Sequence, residues 1–179
     1  VSVTDQSINN AAFVCSNVKA TPGSTVVVPI LVKNNPGIIA AKIGIKYDTN
    51  KLTLLSVKDN DLFGQGTASF DNNTSAMPYW ITWEDYSAFD NYNNDGTVVF
   101  VTFKVKDNAE LGMTPITIIV DNQSTYNIDL DNVDFVSVGG SVDIDPRVCG
   151  DVDGDGEVTL KDVVVLKRYI SENNSETIN

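Results

Sequence analysis

The chain has 179 residues, 42% of them hydrophobic and 20% charged, which is the composition of a folded protein with one core of ordinary domain size. Its 24 acidic and 12 basic residues give a net charge of −12, which repels phosphate backbones and anionic lipid surfaces, so we expect no nucleic-acid partner. The absence of histidine excludes His-dependent hydrolase mechanisms and His-ligated zinc.

No apolar run approaches the roughly 20 residues that a transmembrane helix needs, and no charged-then-apolar leader opens the chain. We therefore expect a mature, soluble protein without a membrane span, whose export signal, if it had one, is missing. The only two cysteines, Cys15 and Cys149, flank a β-rich region. Either they form a disulfide that closes the ends of this region, or they are two unpaired thiols, one of them buried in a strand.

Short β-rich runs separated by clusters of Gly, Pro, Asn and Asp fill the chain from Phe13 to Ile144, a pattern typical of an all-β sandwich or barrel. In the longest Val/Phe-rich run Val99, Val101, Phe103 and Val105 share one face, which we expect to be core. About nine strands are predicted, at 13–19, 25–33, 38–47, 52–57, 67–70, 79–83, 97–106, 116–120 and 133–144.

Composition also divides the chain into three parts. Residues 1–12 are polar and weakly patterned, as in a linker or N-terminal extension. The β-sandwich is expected over 13–145, because Pro146 stops the last strand. The remaining segment, 146–179, contains an acidic loop followed by a helical pattern.

The acidic loop, residues 151–162, has the pattern of a twelve-residue calcium loop. Carboxylates occupy positions one, three, five and twelve, and Gly156 at position six permits the sharp turn. The carbonyl at position seven and a water-mediated contact at position nine would complete the oxygen shell of a Ca²⁺ ion. The predicted ligands are Asp151, Asp153, Asp155, Glu157, Thr159 and Asp162.

Residues 160–170 are predicted to form a helix, with Thr159 as N-cap and Asp162 closing a shortened capping box. An apolar stripe runs along it, formed by Val163, Leu166 and Ile170. The basic pair Lys167 and Arg168 is either a solvated helix end that satisfies the helix dipole or a partner-binding patch.

These segments resemble a pair of known families. The run from Gly150 to Val158, with 166–170, resembles the first repeat of a dockerin, the calcium-dependent plug of cellulosome assemblies. The region 13–144 looks like a cohesin, the dockerin receptor. The cohesin cues lie in 21–29, 37–52, 95–100 and 139–142.

The resemblance implies a nine-stranded jelly-roll β-sandwich, cohesin-like and all-β, with a small C-terminal calcium loop-helix of the F-hand kind. Its implied function is non-catalytic assembly of an extracellular, secreted or cell-surface complex of a polysaccharide-degrading bacterium. The sandwich would bind dockerin-bearing enzymes or scaffold proteins, and the loop-helix would dock into a cohesin-bearing scaffold. This is the layout of an adaptor scaffoldin. Dockerins normally carry two such repeats and one is present, so truncation or proteolysis is expected.

The resemblance also implies contact residues. In the loop-helix these are Leu160, Lys161, Lys167 and Arg168, and in the sandwich Glu84, an acid that follows a strand of the dockerin-facing sheet. Ala40 and Lys42 stand where similar cohesins carry Asn and Asp, so those contacts are not transferred.

The sequence also leaves two other function classes to consider, a carbohydrate-binding module and an enzyme. A carbohydrate-binding sandwich would use the aromatic-rich stretch of Tyr79, Trp80, Trp83, Tyr86, Phe89 and Tyr92 to stack on sugars, unless alternate residues face the core. A glycosidase would need a carboxylate pair such as Glu84 with Asp85, or Asp129 with Asp131. Neighbours on one strand point to opposite faces, so we expect no enzyme.

Overall fold

The computed structural model describes residues 10–64, 68–146, 150–153 and 157–173. Two compact units divide the chain, residues 1–144 and 145–179. In its described residues, the first is all-β apart from one short 3-10 helix, Asn122–Ser124. Its strands are β1 (Ala12–Cys15), β2 (Asn17–Ala20), β3 (Thr25–Lys33), β4 (Ala40–Tyr47), β5 (Leu52–Asp59), β6 (Ala68–Phe70), β7 (Tyr79–Glu84), β8 (Gly96–Val105), β9 (Gly112–Val120), β10 (Val136–Val138) and β11 (Gly140–Ile144).

The strands form two sheets with a common core, which confirms the predicted sandwich. The five-stranded sheet has the order β10-β1-β3-β8-β5, and the six-stranded sheet has the order β2-β11-β9-β4-β7-β6. In β8 the predicted core residues Val99, Val101, Phe103 and Val105 are buried, and the residues between them are partly exposed. Alternation with a period of two therefore selects the face that each strand buries.

The first and last predicted runs each divide into two strands, one in each sheet. β1 pairs with β10 in parallel in the five-stranded sheet, and after the break at Ser16 β2 pairs with β11 in parallel in the six-stranded sheet. A side chain at Gly140 would clash with the carbonyl oxygens of Ser16 and Cys15, so the close approach of these two segments of the chain requires glycine. The splits account for the difference between the predicted runs and the strands observed in the described residues.

An aromatic cluster fills the core beneath β7. Trp83 is 1% exposed, stacks on Phe13 at a centroid distance of 6.5 Å and meets Phe63 edge-on at 5.5 Å. Its indole N–H donates to Asp59 Oδ1 at 3.0 Å, so the one polar atom of the ring has a partner. The inward residues of β7 are thereby fixed, and the residues between them must point outward.

The second unit contains helix α1 (Leu160–Asn173), which continues three residues past the predicted end. Over the described part of the chain, no helix has the length and apolar character that crossing a membrane requires. The unit boundary at Asp145 lies one residue before the predicted one, and β1 begins at Ala12, one residue before the predicted start of the sandwich.

Candidate functional site

Three carboxylates of the acidic loop meet in the second unit. One oxygen each from Asp151, Asp153 and Asp162 lies within 4.8 Å of the other two. Oxygens that bind one Ca²⁺ at about 2.3–2.6 Å can be at most about 5 Å apart, so this spacing fits the ion. Among the described residues this is the only such group, and the donors are all oxygens, which suits a hard cation.

Asp162 organises this loop. It is 3% exposed, and its Oδ1 accepts the amide hydrogens of Val152 at 2.7 Å and Asp153 at 3.3 Å, while Oδ2 accepts that of Thr159 at 2.6 Å. The hydrogen bond from Thr159 is the main reason that the pKa of Asp162 lies below its ordinary value, although burial opposes the shift. A buried, ionised carboxylate is therefore held between the two ends of the loop.

The other predicted ligands are less completely described. Asp155, like the two glycines beside it, lies outside the described residues. Glu157 is exposed and Thr159 is half-buried. The hydroxyl of Thr159 accepts the Lys161 amide hydrogen at 3.2 Å, so its side chain caps the helix and, together with Asp162, forms the predicted capping box. The ligand roles of these residues stay predictions.

Helix α1 presents the predicted contact residues to solvent. Leu160, Lys161, Lys167 and Arg168 are all exposed, and Arg168 Nε donates to Glu172 at 2.8 Å. The apolar stripe of the helix is also exposed, at 51% for Val163, 45% for Leu166 and 49% for Ile170. The helix thus combines basic and apolar side chains on its accessible surface.

A second candidate surface is the outer face of the six-stranded sheet. Its middle strands pair in the order β9-β4-β7, with Gly44 between Ile119 and Trp80, and Lys42 opposite Thr82. The inward residues of these strands are buried in the core. The outer face is formed by Lys42, Gly44, Lys46, Trp80, Thr82, Thr117 and Ile119.

Trp80 lies against the backbone of this face. A Cβ added at Gly44 would be 3.0 Å from Trp80 Cζ3 and 3.1 Å from Pro78 Cβ, so the ring edge occupies the space that a side chain would fill. Lys42 Nζ lies 4.7 Å from the centre of the ring and 3.3 Å from Asp121 Oδ2. The ring, the ammonium group and the carboxylate therefore form one fixed cluster.

Electrostatics strengthen this cluster. Burial alone would raise the pKa of Asp121, but hydrogen bonds from Ser124 and Lys42, with the charge of Lys42, keep it below its ordinary value. The carboxylate remains ionised at neutral pH and holds Lys42 beside Trp80. Sequence reasoning missed this cluster. The signal available was Gly44, a glycine inside a strand run, which indicates close approach by another group.

Glu84 ends β7 opposite Ala40 and is exposed, as its predicted contact role requires. The carboxylate of its neighbour, Asp85, accepts hydrogen bonds within the sandwich. It accepts hydrogen bonds from the hydroxyls of Tyr92 at 2.5 Å and Ser87 at 2.7 Å. The bond from Tyr92 is the main reason that the pKa of Asp85 lies below its ordinary value, and the same bond raises that of Tyr92.

The fold buries some residues of the aromatic stretch and exposes others. Tyr79 and Trp83 are buried and cannot stack on a sugar, whereas Tyr86 is exposed and Phe89 fully so. Trp80 lies on the outer face, and Tyr92 is bound to Asp85. The interpretation that alternate residues of 79–83 face the core is therefore confirmed.

A disulfide between Cys15 and Cys149 remains a prediction. Cys15 is a buried residue of β1, and burial raises the pKa of its thiol to about 12. Cys149 lies outside the described residues.

Comparison with known proteins agrees with the resemblance predicted for each of the two regions. Residues 11–144 match the family model described as the Cohesin domain, and residues 149–179 match that of the Dockerin type I domain. The chain is 27% identical over 123 residues to Cellulose-binding protein A of Clostridium cellulovorans and 26% identical over 114 residues to the Cellulosome-anchoring protein of Acetivibrio thermocellus. These matches cover 68% and 60% of this chain, but 7% and 26% of the relatives.

Solved structures show the same fold. A type I cohesin of Clostridium thermocellum, determined in complex with a dockerin, has a TM-score of 0.69 and 22% identity, covering 76% of this chain and all of that one. A non-cellulosomal cohesin of the archaeon Archaeoglobus fulgidus has a TM-score of 0.64 and 18% identity, covering 76% and 91%. With a family model spanning most of its length, the chain belongs to the cohesin family, and a dockerin type I segment follows its cohesin domain.

Proposed function

We propose that the sandwich is a receptor for dockerin modules of other proteins, and that its docking face is the outer face of the six-stranded sheet. The observation that carries this assignment is the fixed cluster at the centre of that face. Trp80 lies against Gly44, and Lys42 is held beside the ring by Asp121. A preformed aromatic surface on a rigid sheet loses little conformational entropy on binding, and Trp is enriched among residues that dominate interface energies.

The second unit would bind Ca²⁺ and serve as the complementary plug, which docks into a cohesin of another protein. The ion would be held by Asp151, Asp153 and Asp162, with Asp155, Thr159 and the carbonyl of Glu157 completing the shell. Bound calcium neutralises the crowded carboxylates and fixes the first turn of α1. Leu160, Lys161, Lys167 and Arg168 then stand on a defined surface.

Together the two units would make an adaptor of a cellulosome-type complex, which acts outside the cell or at its surface. Cohesin and dockerin modules are non-catalytic assembly domains, and we propose that this chain has no enzymatic activity. Support comes from Asp85, one of the carboxylates considered for hydrolysis, because it is bound to Tyr92 and Ser87. Hydrolysis of a polysaccharide by the purified chain, abolished by Glu84→Gln, would contradict this proposal.

Isothermal titration calorimetry against a panel of calcium-loaded dockerin modules tests the receptor function. We expect saturable binding of at least one module at a ratio of one to one, and Trp80→Ala should weaken it roughly tenfold or more. Gly44→Ala should also weaken binding, because the added methyl displaces the ring without removing it.

The matched control is Leu55→Ala, which removes an exposed apolar side chain from the five-stranded sheet and should leave the affinity unchanged. A chain that binds no module of the panel, yet is retained on polysaccharide affinity gels, would favour the carbohydrate-binding alternative, for which Tyr86 and Phe89 are the large exposed side chains of the aromatic stretch.

A further inference from the structure

Two loop segments meet at one end of the six-stranded sheet. The segment 84–95 continues from the outward-facing Glu84 of β7, and the segment 121–135 continues from β9. Asn91 Oδ1 accepts the amide hydrogen of Ile128 at 2.8 Å, which joins the two segments. We call them together the acidic rim. It is continuous with the proposed docking face through Glu84 and Asp121.

Backbone and side-chain hydrogen bonds fix the first segment of the rim. Tyr92 and Ile38 exchange two backbone hydrogen bonds, at 3.1 and 2.9 Å. The carboxylate of Asp95 accepts the amide hydrogens of Asn34 at 2.9 Å and Asn35 at 2.8 Å. The segment is therefore presented in one conformation, and a partner that binds it has little ordering cost to overcome.

The rim carries charge of one sign. Each of its two segments contains four acidic residues, eight in total, and neither contains lysine or arginine. Over the described residues, only the cluster of Asp151, Asp153 and Asp162 brings three carboxylates close enough to share an ion, so the rim acids are not arranged as a cation site. Spread-out carboxylates of this kind attract a cationic macromolecular surface.

Large apolar side chains stand among these acids. Phe89 is fully exposed, and Tyr86 and Leu130 are more than half exposed. Apolar residues on a fixed, exposed loop are suited to filling a partner's pocket. The combination fits a basic protein surface with apolar side chains better than a neutral polysaccharide, because carboxylates attract a cationic surface by charge, whereas a neutral chain offers them hydrogen bonds alone.

We propose that the acidic rim binds a basic, partly apolar helix of the module that docks on the outer face. Phe89 is its anchor, and the rim carboxylates select for the charge. This inference rests on the proposed receptor function and adds a second contact that chooses among partners. Helix α1 shows that loop-helix segments can have this chemistry, because it exposes Lys161, Lys167 and Arg168 beside apolar residues.

The test uses the full chain and a dockerin-bearing protein that binds in the calorimetric panel. Phe89→Ser should weaken affinity roughly tenfold. The double variant Asp90→Asn and Asp129→Asn should lower the association rate several-fold and reduce its dependence on salt. Leu55→Ser and Glu110→Gln, which change an exposed apolar residue of β5 and an exposed acid that precedes β9, the strand whose other end leads into the rim, should change neither quantity.

Unchanged affinity and rate in both rim variants, with binding still weakened by Trp80→Ala, would overturn the rim assignment and leave the receptor function intact. Failure of every dockerin to bind would overturn both.

Sedimentation of the chain alone gives a third outcome. Self-association that Phe89→Ser abolishes would assign the rim to a second copy of this chain and overturn the assignment to a separate partner. Retention on polysaccharide gels that the same variant abolishes would overturn it in favour of a sugar ligand.

Discussion

The sandwich and the loop-helix differ in what holds them together. In the sandwich, side chains from two sheets bury one another, and Trp83, Phe13 and Phe63 form an aromatic core that no ligand needs to complete. In the loop-helix, the apolar stripe of α1 is about half exposed. Three hydrogen bonds that connect its loop to its helix converge on one buried carboxylate, Asp162.

This difference separates two sources of stability. Burial of apolar surface stabilises the sandwich, and this contribution does not depend on a bound ion. A cation at the proposed calcium site would neutralise the carboxylates of the loop, so we expect the stability of the loop-helix to follow the calcium concentration. We therefore expect the two units to respond to different perturbations.

The largest expected effect is on the sandwich core. Trp83→Ala should lower the free energy of unfolding of the sandwich by about 3–5 kcal/mol, because it leaves a large cavity and an unpaired Asp59. Chemical denaturation followed by circular dichroism measures this loss. The calcium affinity of the loop should stay unchanged. A parallel loss of calcium binding would break the separation of the two units.

Calcium removal should have the next largest effect, and on the loop-helix alone. Calcium at a hundred times its dissociation constant adds about 2.7 kcal/mol to the unit that binds it. Chelation should therefore increase amide hydrogen exchange in α1 and leave the exchange of the sandwich strands unchanged. Equal protection of α1 with and without calcium would count against the site.

Two substitutions sharpen this result. Asp151→Ala should abolish the calcium-dependent gain and have little effect in chelator. Asp162→Ala should increase exchange in α1 under both conditions, because it also removes hydrogen bonds to Val152, Asp153 and Thr159. Identical behaviour of the two variants in chelator would show that Asp162 is only a ligand.

The smallest expected effect concerns the Tyr92–Asp85 hydrogen bond of the sandwich. The lowered pKa of Asp85 stabilises the fold above its unfolded pKa of about 3.9, and this contribution is lost as pH falls through the folded value. The raised pKa of Tyr92 stabilises the fold below about pH 10 and is lost as pH rises through the folded value.

The thermal midpoint of Tyr92→Phe should thus lie below that of the natural chain by an amount that is greatest from about pH 4 to pH 10 and smaller on either side. Tyr126→Phe is the control, because the hydroxyl of Tyr126 donates to the carbonyl of Gln123, an acceptor that does not titrate at low pH. A difference for Tyr92→Phe that does not shrink at low pH would contradict the role of Asp85.

Local pattern predicts what lies within one segment of this chain. The alternation of β8 correctly gave its buried face, and the Thr159–Asp162 capping box followed from residues three apart. Contacts between distant segments could not be predicted in this way. The division of the first run at Ser16 depends on Gly140, and the position of Trp80 depends on Gly44 in another strand. At both glycines, the space that a side chain would occupy is taken by groups that lie far away in the sequence.

The parallel pairing of the first and last strands has a consequence for biosynthesis. β1 and β2 gain their parallel partners only from β10 and β11, more than a hundred residues later in the chain. A ribosome must therefore complete Ile144 before the sandwich can close, and the nascent chain carries incompletely paired β-strands until then. Folding after the last strand has left the ribosome, or chaperone protection of the growing polypeptide, is the route that this topology favours.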